Sequence, residues 1–404
     1  MTDRPETRFL DRASPPHIMT LVLLASLSAL SMNIFLPSLP AMARHFGTDY
    51  AIMQLSVSLF LAVNAMLQLV IGPVADRFGR RPVLLGAIAL FILATLGTLI
   101  APTVEVFLFF RMCQAVVVAA MVLSRAVVRD MVGEAEAASM IGYVTMGMAL
   151  VPMLGPMLGG ALDELFGWQA SFVVLLLCGV AILWLTWADL GETAPKRSSS
   201  FRAQFTEYPA LLRARRFWGY CLAAAFASGS FFGFLGGAPF VGSEVFGLSP
   251  TMLGIYFAAP AVGYLVGNGL SGRYSTRLGV DRMVLVGTLI TTGGMGTLAV
   301  LFAAGLQSAE IFFGFFVFVG LGNGMVIPNA TAGMLSVRPH LAGTASGLGG
   351  AMMIGGGAVM AALAGALLQP GSGAGPLIAM LVATSLASVV AILYVIRRKQ
   401  SIGA

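Results

Sequence analysis

Three small groups of polar residues stand out from an otherwise apolar chain, and each suggests its own chemistry. Arg111 and Gln114 lie within the apolar run 106–128 and are spaced to share one helical face. A charge in hydrocarbon is costly, so Arg111 should face an aqueous cavity or a partner; the plainer reading is an arginine that snorkels to the interface. Gly72-Pro-Val-Ala-Asp76-Arg77-Phe-Gly79-Arg80-Arg81 gathers an acid and three arginines between two apolar runs. Asp76 there can accept charge-assisted hydrogen bonds from arginines or from a helix N-terminus. Such a cluster can act as a conformational latch, or can merely fix topology. Asn33 sits a turn before Pro37, near the end of the first run. Its amide can bond a guanidinium but cannot take up a proton.

Other chemistry is missing from the pattern. The 17 carboxylates all fall in tails, loops or the ends of apolar runs. Glu105 and Asp130 are the nearest candidates for a proton carrier. Cys113, Cys178 and Cys221 lie inside apolar runs and suggest neither a disulfide framework nor a metal site. No nucleophile–base pair, metal cluster or phosphate loop is present, so a membrane enzyme or sensor is disfavoured and no cofactor or metal is expected.

The elements that must carry these groups follow from composition. Of 404 residues, 58% are hydrophobic and 10% charged, whereas soluble domains carry about 25% charged residues. Apolar runs long enough to span a bilayer lie near 18–39, 51–72, 82–101, 106–128, 140–161, 170–188, 217–238, 251–271, 283–304, 310–333, 343–367 and 376–396. With the N-terminus cytoplasmic, every Lys and Arg except Arg44 and Arg111 falls on the cytoplasmic side, including Arg125, Arg129 and the basic linker. The net charge of +6 is thus topogenic, not a sign of nucleic-acid binding. The first run reads as a retained span rather than a signal peptide. The expected fold is an all-α membrane protein of twelve transmembrane helices in two pseudo-symmetric six-helix bundles. These are residues 1–188 and 217–404, joined by a cytoplasmic linker at 189–216, with both termini cytoplasmic.

The halves echo one another. Gly72 to Arg81 aligns with Gly272-Arg-Tyr-Ser-Thr-Arg-Leu-Gly279-Val-Asp281, 200 residues later, and Ala137-Ala-Ser aligns with Thr344-Ala-Ser in the loop before the fifth span of each half. This is the sign of duplication about an axis along the membrane normal. The fifth run carries Gly147, Pro152, Gly155, Pro156, Gly159 and Gly160; the eleventh carries Gly343, Gly347, Ala351 and Gly355, four apart. Small-xxx-small stripes permit close helix contact, so the fifth and eleventh spans are expected to cross at the interface between the halves. The two prolines should bend or weaken the fifth helix. Asn64, Gln68, Asn268, Asn323 and Asn329 lie inside runs and either line a cavity or join helices.

Several of these motifs resemble a known family. Gly72 to Arg81 resembles the loop 2–3 signature of the major facilitator superfamily. Arg111-Met-Cys-Gln114 resembles its fourth-span Arg-x-x-Gln motif, and Gly147 to Gly160 the fifth-span motif of its drug antiporters. Asn33-Ile-Phe-Leu-Pro37-Ser-Leu-Pro40 and Ser124-Arg-Ala-Val-Val-Arg129-Asp130 are similar to the bicyclomycin/chloramphenicol-resistance (Bcr/CflA) subfamily. The resemblance implies a multidrug efflux transporter of the bacterial inner membrane, acting as a monomer by alternating access in exchange for protons. It places Asn33, Arg111 and Gln114 at the substrate and coupling site. It assigns the latch to Gly72, Asp76, Arg77, Gly79, Arg80, Arg81, Arg129 and Asp130, and the helix-interface motif to Gly147, Pro152, Gly155, Pro156, Gly159 and Gly160. Relatives commonly carry an acid where this chain has Asn33, which weakens the proton expectation. A proton-independent facilitator or uptake carrier is the alternative.

The topology is directly testable. A reporter active only in the cytoplasm should be active when inserted at Ser199 or after Lys399, and silent at Gly305. Activity at both Ser199 and Gly305 would sink the twelve-span reading.

Overall fold

A computed structural model describes residues 9–131, 134–194, 211–338 and 342–401; the side chains at 134–139, 141–143, 145–150, 153 and 342–344 also lie outside the described set. Hydrocarbon offers no water to backbone N–H and C=O groups, so each crossing must satisfy them internally, as a helix does. Twelve long helical segments result among the described residues. They are α1 (Ile18–Phe46), α2 (Tyr50–Phe78), α3 (Arg80–Leu99), α4 (Val104–Met131), α5 (Glu134–Phe166), α6 (Gln169–Asp189), α7 (Arg215–Val245), α8 (Pro250–Leu278), α9 (Val280–Ala303), α10 (Ala309–Val337), α11 (Ala342–Leu367) and α12 (Gly375–Ser401). Eleven are long and apolar enough to cross a membrane by length and composition; the twelfth, α5, has 33 residues.

The helices run past the apolar cores expected from the sequence. Gly72–Phe78 is the last part of α2, so the charged connection to α3 is the single residue Gly79. The Ala137 and Thr344 repeats likewise lie inside α5 and α11, not in loops. Irregularity appears elsewhere than expected. Pro37 and Pro40 lie in and beside a 3₁₀ turn, Leu36–Ser38, that interrupts α1, whereas α5 runs on as one helix through Pro152 and Pro156.

The duplication is visible in the backbone. Gly79 (φ 100°, ψ 150°) and Gly279 (φ 82°, ψ 157°) hold the same left-handed turn 200 residues apart. That conformation is open chiefly to glycine. In each half the helix after this turn is tied to the last helix of its bundle. Arg81 Nε donates to Leu190 O (2.8 Å) beyond α6, and Asp281 pairs with Lys399 Nζ (2.7 Å) at the end of α12. Asp281 also accepts from the Tyr220 hydroxyl.

The 189–216 linker begins later than its polarity suggested. Asp189 is wholly buried at the end of α6. It accepts from Leu10 N (2.8 Å), His17 N (2.9 Å) and Thr20 Oγ1 (2.6 Å), fastening the start of α1 to the same bundle. At the other boundary, Arg215 and Arg216 open α7. Residues 195–210 lie outside the described residues.

The bundles meet chiefly through two helix pairs, α2 with α11 and α5 with α8, with smaller contacts of α7 on α1 and α2 and of α8 on α1. Among the described residues, the expected crossing of α5 with α11 is not formed as a close pair. Instead the glycines of α5 serve two neighbours. Gly155 and Gly159 press on Leu30, Asn33 and Ile34 of α1 within the bundle, and Gly160 presses on the backbone of Pro250 in α8. Gly254 of α8 returns the contact to Pro156 and Met157. The other contacts between the halves sit at the same end. Tyr50 Oη donates to Gly236 O (2.8 Å), Arg44 meets Glu244 at 3.5 Å, and Gln54 is wedged between Gly236 and Gly365. The molecule is therefore sealed at the end remote from its termini.

A Cβ at Gly254 would overlap the Pro156 carbonyl. Gly254→Val should therefore loosen the sealed end. In a background free of the three native cysteines, disulfide formation between Arg44→Cys and Glu244→Cys should slow at least severalfold when Gly254→Val is added. An unchanged rate would show that this glycine contact does not hold the end shut.

Candidate functional site

Between the bundles lies a cavity of about 720 Å³ that opens toward the end bearing the termini. That size suits a drug-sized molecule. Its depth is apolar and adaptable: Met32 and Leu61 from the first half face Phe232, Leu235, Phe257 and Met353 from the second. Three amides punctuate it. Gln68 Nε2 donates to Asn64 Oδ1 (2.7 Å), so the pair spaced to share a face does so on the cavity wall. Asn323 also lines it, with a buried Oδ1 that has no hydrogen-bond partner. Asn329 bonds Ser271 and Met325 O, and Asn268 bonds Tyr264 O; neither lines the cavity.

Arg111 and Gln114 come together as expected, but away from the cavity. Arg111 is 1% exposed. Its Nη1 donates to Gln114 Oε1 (2.8 Å) and Ser31 Oγ (3.2 Å), its Nη2 to Ser31 O (2.8 Å), and its Nε to Ser56 O (3.3 Å). The guanidinium lies over Phe35 at 4.4 Å and Phe60 at 4.0 Å. Gln114 Nε2 passes the chain on to Thr95 Oγ1 (2.8 Å). No carboxylate pairs with Arg111 among the described residues. Ring faces and neutral acceptors hold the charge, tying α1, α2, α3 and α4 together. Glu105 is exposed at the start of α4 and is not among the partners of Arg111.

Asn33 does not meet Arg111 either. Its Nδ2 donates back to Ala29 O (2.6 Å), its Oδ1 is buried without a partner, and its Cβ side faces Gly155 of α5. The side chain is spent on the α1–α5 contact. Asn33 and Arg111, both placed at the coupling site by the family resemblance, thus sit in two separate arrangements.

The latch residues do converge, within the first bundle. Arg80 Nη1 meets Asp76 Oδ1 at 2.6 Å and its Nε meets Asp130 Oδ2 at 3.1 Å. Asp76, Arg80 and Gly72 line the cavity mouth together with Arg129. Glu192, not singled out from the sequence, caps the start of α3 through Arg80 N (2.8 Å) and Arg81 N (3.2 Å). Arg77 stands over Phe78. Pro152 lines the cavity and Pro156 contacts α8. Gly147 lies in α5, but its surroundings fall outside the described residues.

Arg125 was assigned to a cytoplasmic segment by its sequence position. Its place is the cavity wall, inside α4. The available signal was the four-residue spacing of Arg125 and Arg129, which puts both on one helix face; both line the cavity.

Comparison with known proteins gives concordant matches. The Major Facilitator Superfamily pattern matches residues 21–254 and 238–403. The chain is 32% identical to a chloramphenicol resistance protein of Pseudomonas aeruginosa, over 81% of this chain and 79% of that one. It is 29% identical to multidrug resistance protein D of Escherichia coli, over 88% and 90%. In three dimensions it is similar to a bacterial homologue of the human lysosomal transporter Spinster, solved inward-facing and occupied. The TM-score is 0.72 at 18% identity, covering 95% and 96% of the two chains.

The two arginines of α4 should respond oppositely to the same substitution. Arg111→Met strands the acceptors on Gln114 and Ser31, and a buried polar group left unpaired costs about 1–3 kcal/mol. It should lower the thermal midpoint of the purified protein by several degrees. Arg125→Met removes a partly buried cation without a partner and should leave the midpoint level or raise it. Full stability in Arg111→Met would return that residue to a purely functional role.

Proposed function

The chain belongs to the Major Facilitator Superfamily, and from that premise we propose that it exports small amphipathic or apolar compounds across the bacterial inner membrane by alternating access. It is a multi-pass transporter and not an enzyme. The observation that carries the reading is the cavity. It is drug-sized, lined by methionine, phenylalanine and three amides, open at the termini end and sealed at the other. Methionine-rich apolar walls repack around varied ligands, which suits a multidrug carrier. The relatives named for chloramphenicol, bicyclomycin and multidrug resistance support the same substrate class.

With both termini cytoplasmic, this conformation is inward-facing and loads from the cytoplasm. Transport then requires the α2–α11 and α5–α8 contacts to open while the termini end closes. Asp76 and Arg80 sit where the closing bundles would meet. Their ion pair is the switching element of the proposed latch, and the protein works as a monomer. Exchange for a proton needs a carboxylate that substrate and proton can both reach. Among the described residues that line the cavity, Asp76 is the carboxylate present, and it is already paired. Drug:proton antiport through Asp76 is therefore the proposed coupling, and a proton-independent facilitator is the second reading, favoured by Asn33.

Sealed vesicles containing the purified protein decide among these. Movement of chloramphenicol against its gradient, only when a pH gradient is imposed, is the antiport result. Movement only down the drug's own gradient is the facilitator result, and no movement of chloramphenicol or of other resistance substrates overturns the export reading. Asp76→Asn should insert normally yet lose at least about nine-tenths of the transport rate. Wild-type transport by that variant would leave the cluster a topogenic element only.

A further inference from the structure

Several charged groups in this protein have defined partners. Asp76, Arg80 and Asp130 form one network, Lys399 and Asp281 another, and Arg44 meets Glu244. Arg111 is saturated by oxygens and rings. Arg125 differs. It lies on the cavity wall, its Nε is buried with no hydrogen-bond partner, and no carboxylate meets it among the described residues. The titratable groups that face it are Tyr264 of α8 and Arg129 one turn on. Neither is a carboxylate. Among the described residues, the charged groups lining the cavity are Asp76, Arg80, Arg125 and Arg129, and the acid of these is paired with Arg80. The site therefore holds surplus positive charge beside apolar walls.

We propose that Arg125 is the specificity-determining residue of the cavity and selects amphipathic organic anions, pairing their carboxylate, sulfonate or phenolate head while Phe232, Phe257 and Met353 hold the apolar body. This rests on the export reading and narrows its substrate class. The physical case has three parts. A guanidinium offers a planar fork matched to such heads, and a charge-assisted pair is about twice as strong as a neutral hydrogen bond. An uncompensated cation in a half-dry cavity costs free energy until an anion arrives, so the empty site is predisposed to that class. An inside-negative membrane potential alone drives an anion outward. For such a substrate, Asn33 in the first span and the lack of an unpaired acid among the described cavity-lining residues favour the proton-independent reading over antiport.

The test uses two dyes with one ring system: 1-anilinonaphthalene-8-sulfonate, an anion, and N-phenyl-1-naphthylamine, its neutral twin. Binding to the full chain in phosphatidylcholine vesicles, corrected with protein-free vesicles, should favour the sulfonate at least about tenfold. That advantage should fall about tenfold in Arg125→Gln, the loss expected for one charge-assisted pair. Arg125→Lys, which keeps the charge without the fork, should recover part of it. Equal affinity of the wild type for both dyes, or equal losses for both in Arg125→Gln, overturns the proposal. Loss of the advantage on adding phosphatidylglycerol would assign the site to lipid phosphate and overturns it as well. The export reading fails separately: it falls if the wild type binds the dyes but moves neither across the vesicle membrane, and it stands if only the neutral dye is bound and moved.

Discussion

Hydrocarbon solvates neither a charge nor a backbone amide, and the placement of many polar groups in this protein answers that constraint. Without water to exclude, helices gain nothing by hiding apolar surface from one another and must associate through close packing and hydrogen bonds. Hence α5 sets Gly155 and Gly159 against α1 and Gly160 against α8, and at Gly159 and Gly160 a side chain of any size would collide with backbone. Asn33 bonds its own helix at Ala29 for the same reason. Arg111, which no acid neutralises, is embedded in carbonyls, hydroxyls and two ring faces. A residue that looks functional because it is charged in a membrane turns out to be what binds four helices of the first bundle together.

That outcome marks the limit of what the chain reveals by itself. The helical, membrane-spanning character of the chain follows from hydropathy, because that property acts over twenty residues at a time; the expected bundle division and sidedness rest on the placement of the polar linker and the arginines. The family motifs likewise identified the cluster around Asp76, where neighbours in sequence are neighbours in space. What the sequence could not convey is the rotation of each helix about its axis. Arg111 and Arg125 are both arginines in α4. One turns into the bundle and the other toward the cavity, and which way each turns depends on α1, α2 and α8, all distant in sequence. The same ignorance misjudged α5 and α11. Both carry small-residue stripes, yet each pairs with a helix of the opposite bundle that the stripes did not name. Duplication explains the pattern: an axis along the membrane normal relates α5 to α11 and α2 to α8, so the contact of α5 with α8 and that of α11 with α2 are symmetry equivalents.

The two ends of the molecule solve different problems. The sealed end is made of backbone contacts at Gly160 and Gly254 and of the Gln54 side chain packed on Gly236 and Gly365, with few charges. Its one ion pair, Arg44 with Glu244, is exposed and long, and such surface pairs contribute about 0–1 kcal/mol. Its tightest wedge, Gln54, keeps both polar atoms buried without a partner. Each such group costs about 1–3 kcal/mol relative to hydration. The open end carries Asp76, Arg80, Arg81, Asp130 and Glu192 in a network confined to the first bundle. Charges at that end can be rehydrated or re-paired as the bundles move, whereas glycine contacts are either made or lost. An alternating carrier needs a steric seal on one side and an adjustable polar one on the other, each weak enough to yield when the opposite seal forms. The distribution of glycine and arginine along these twelve helices meets that requirement.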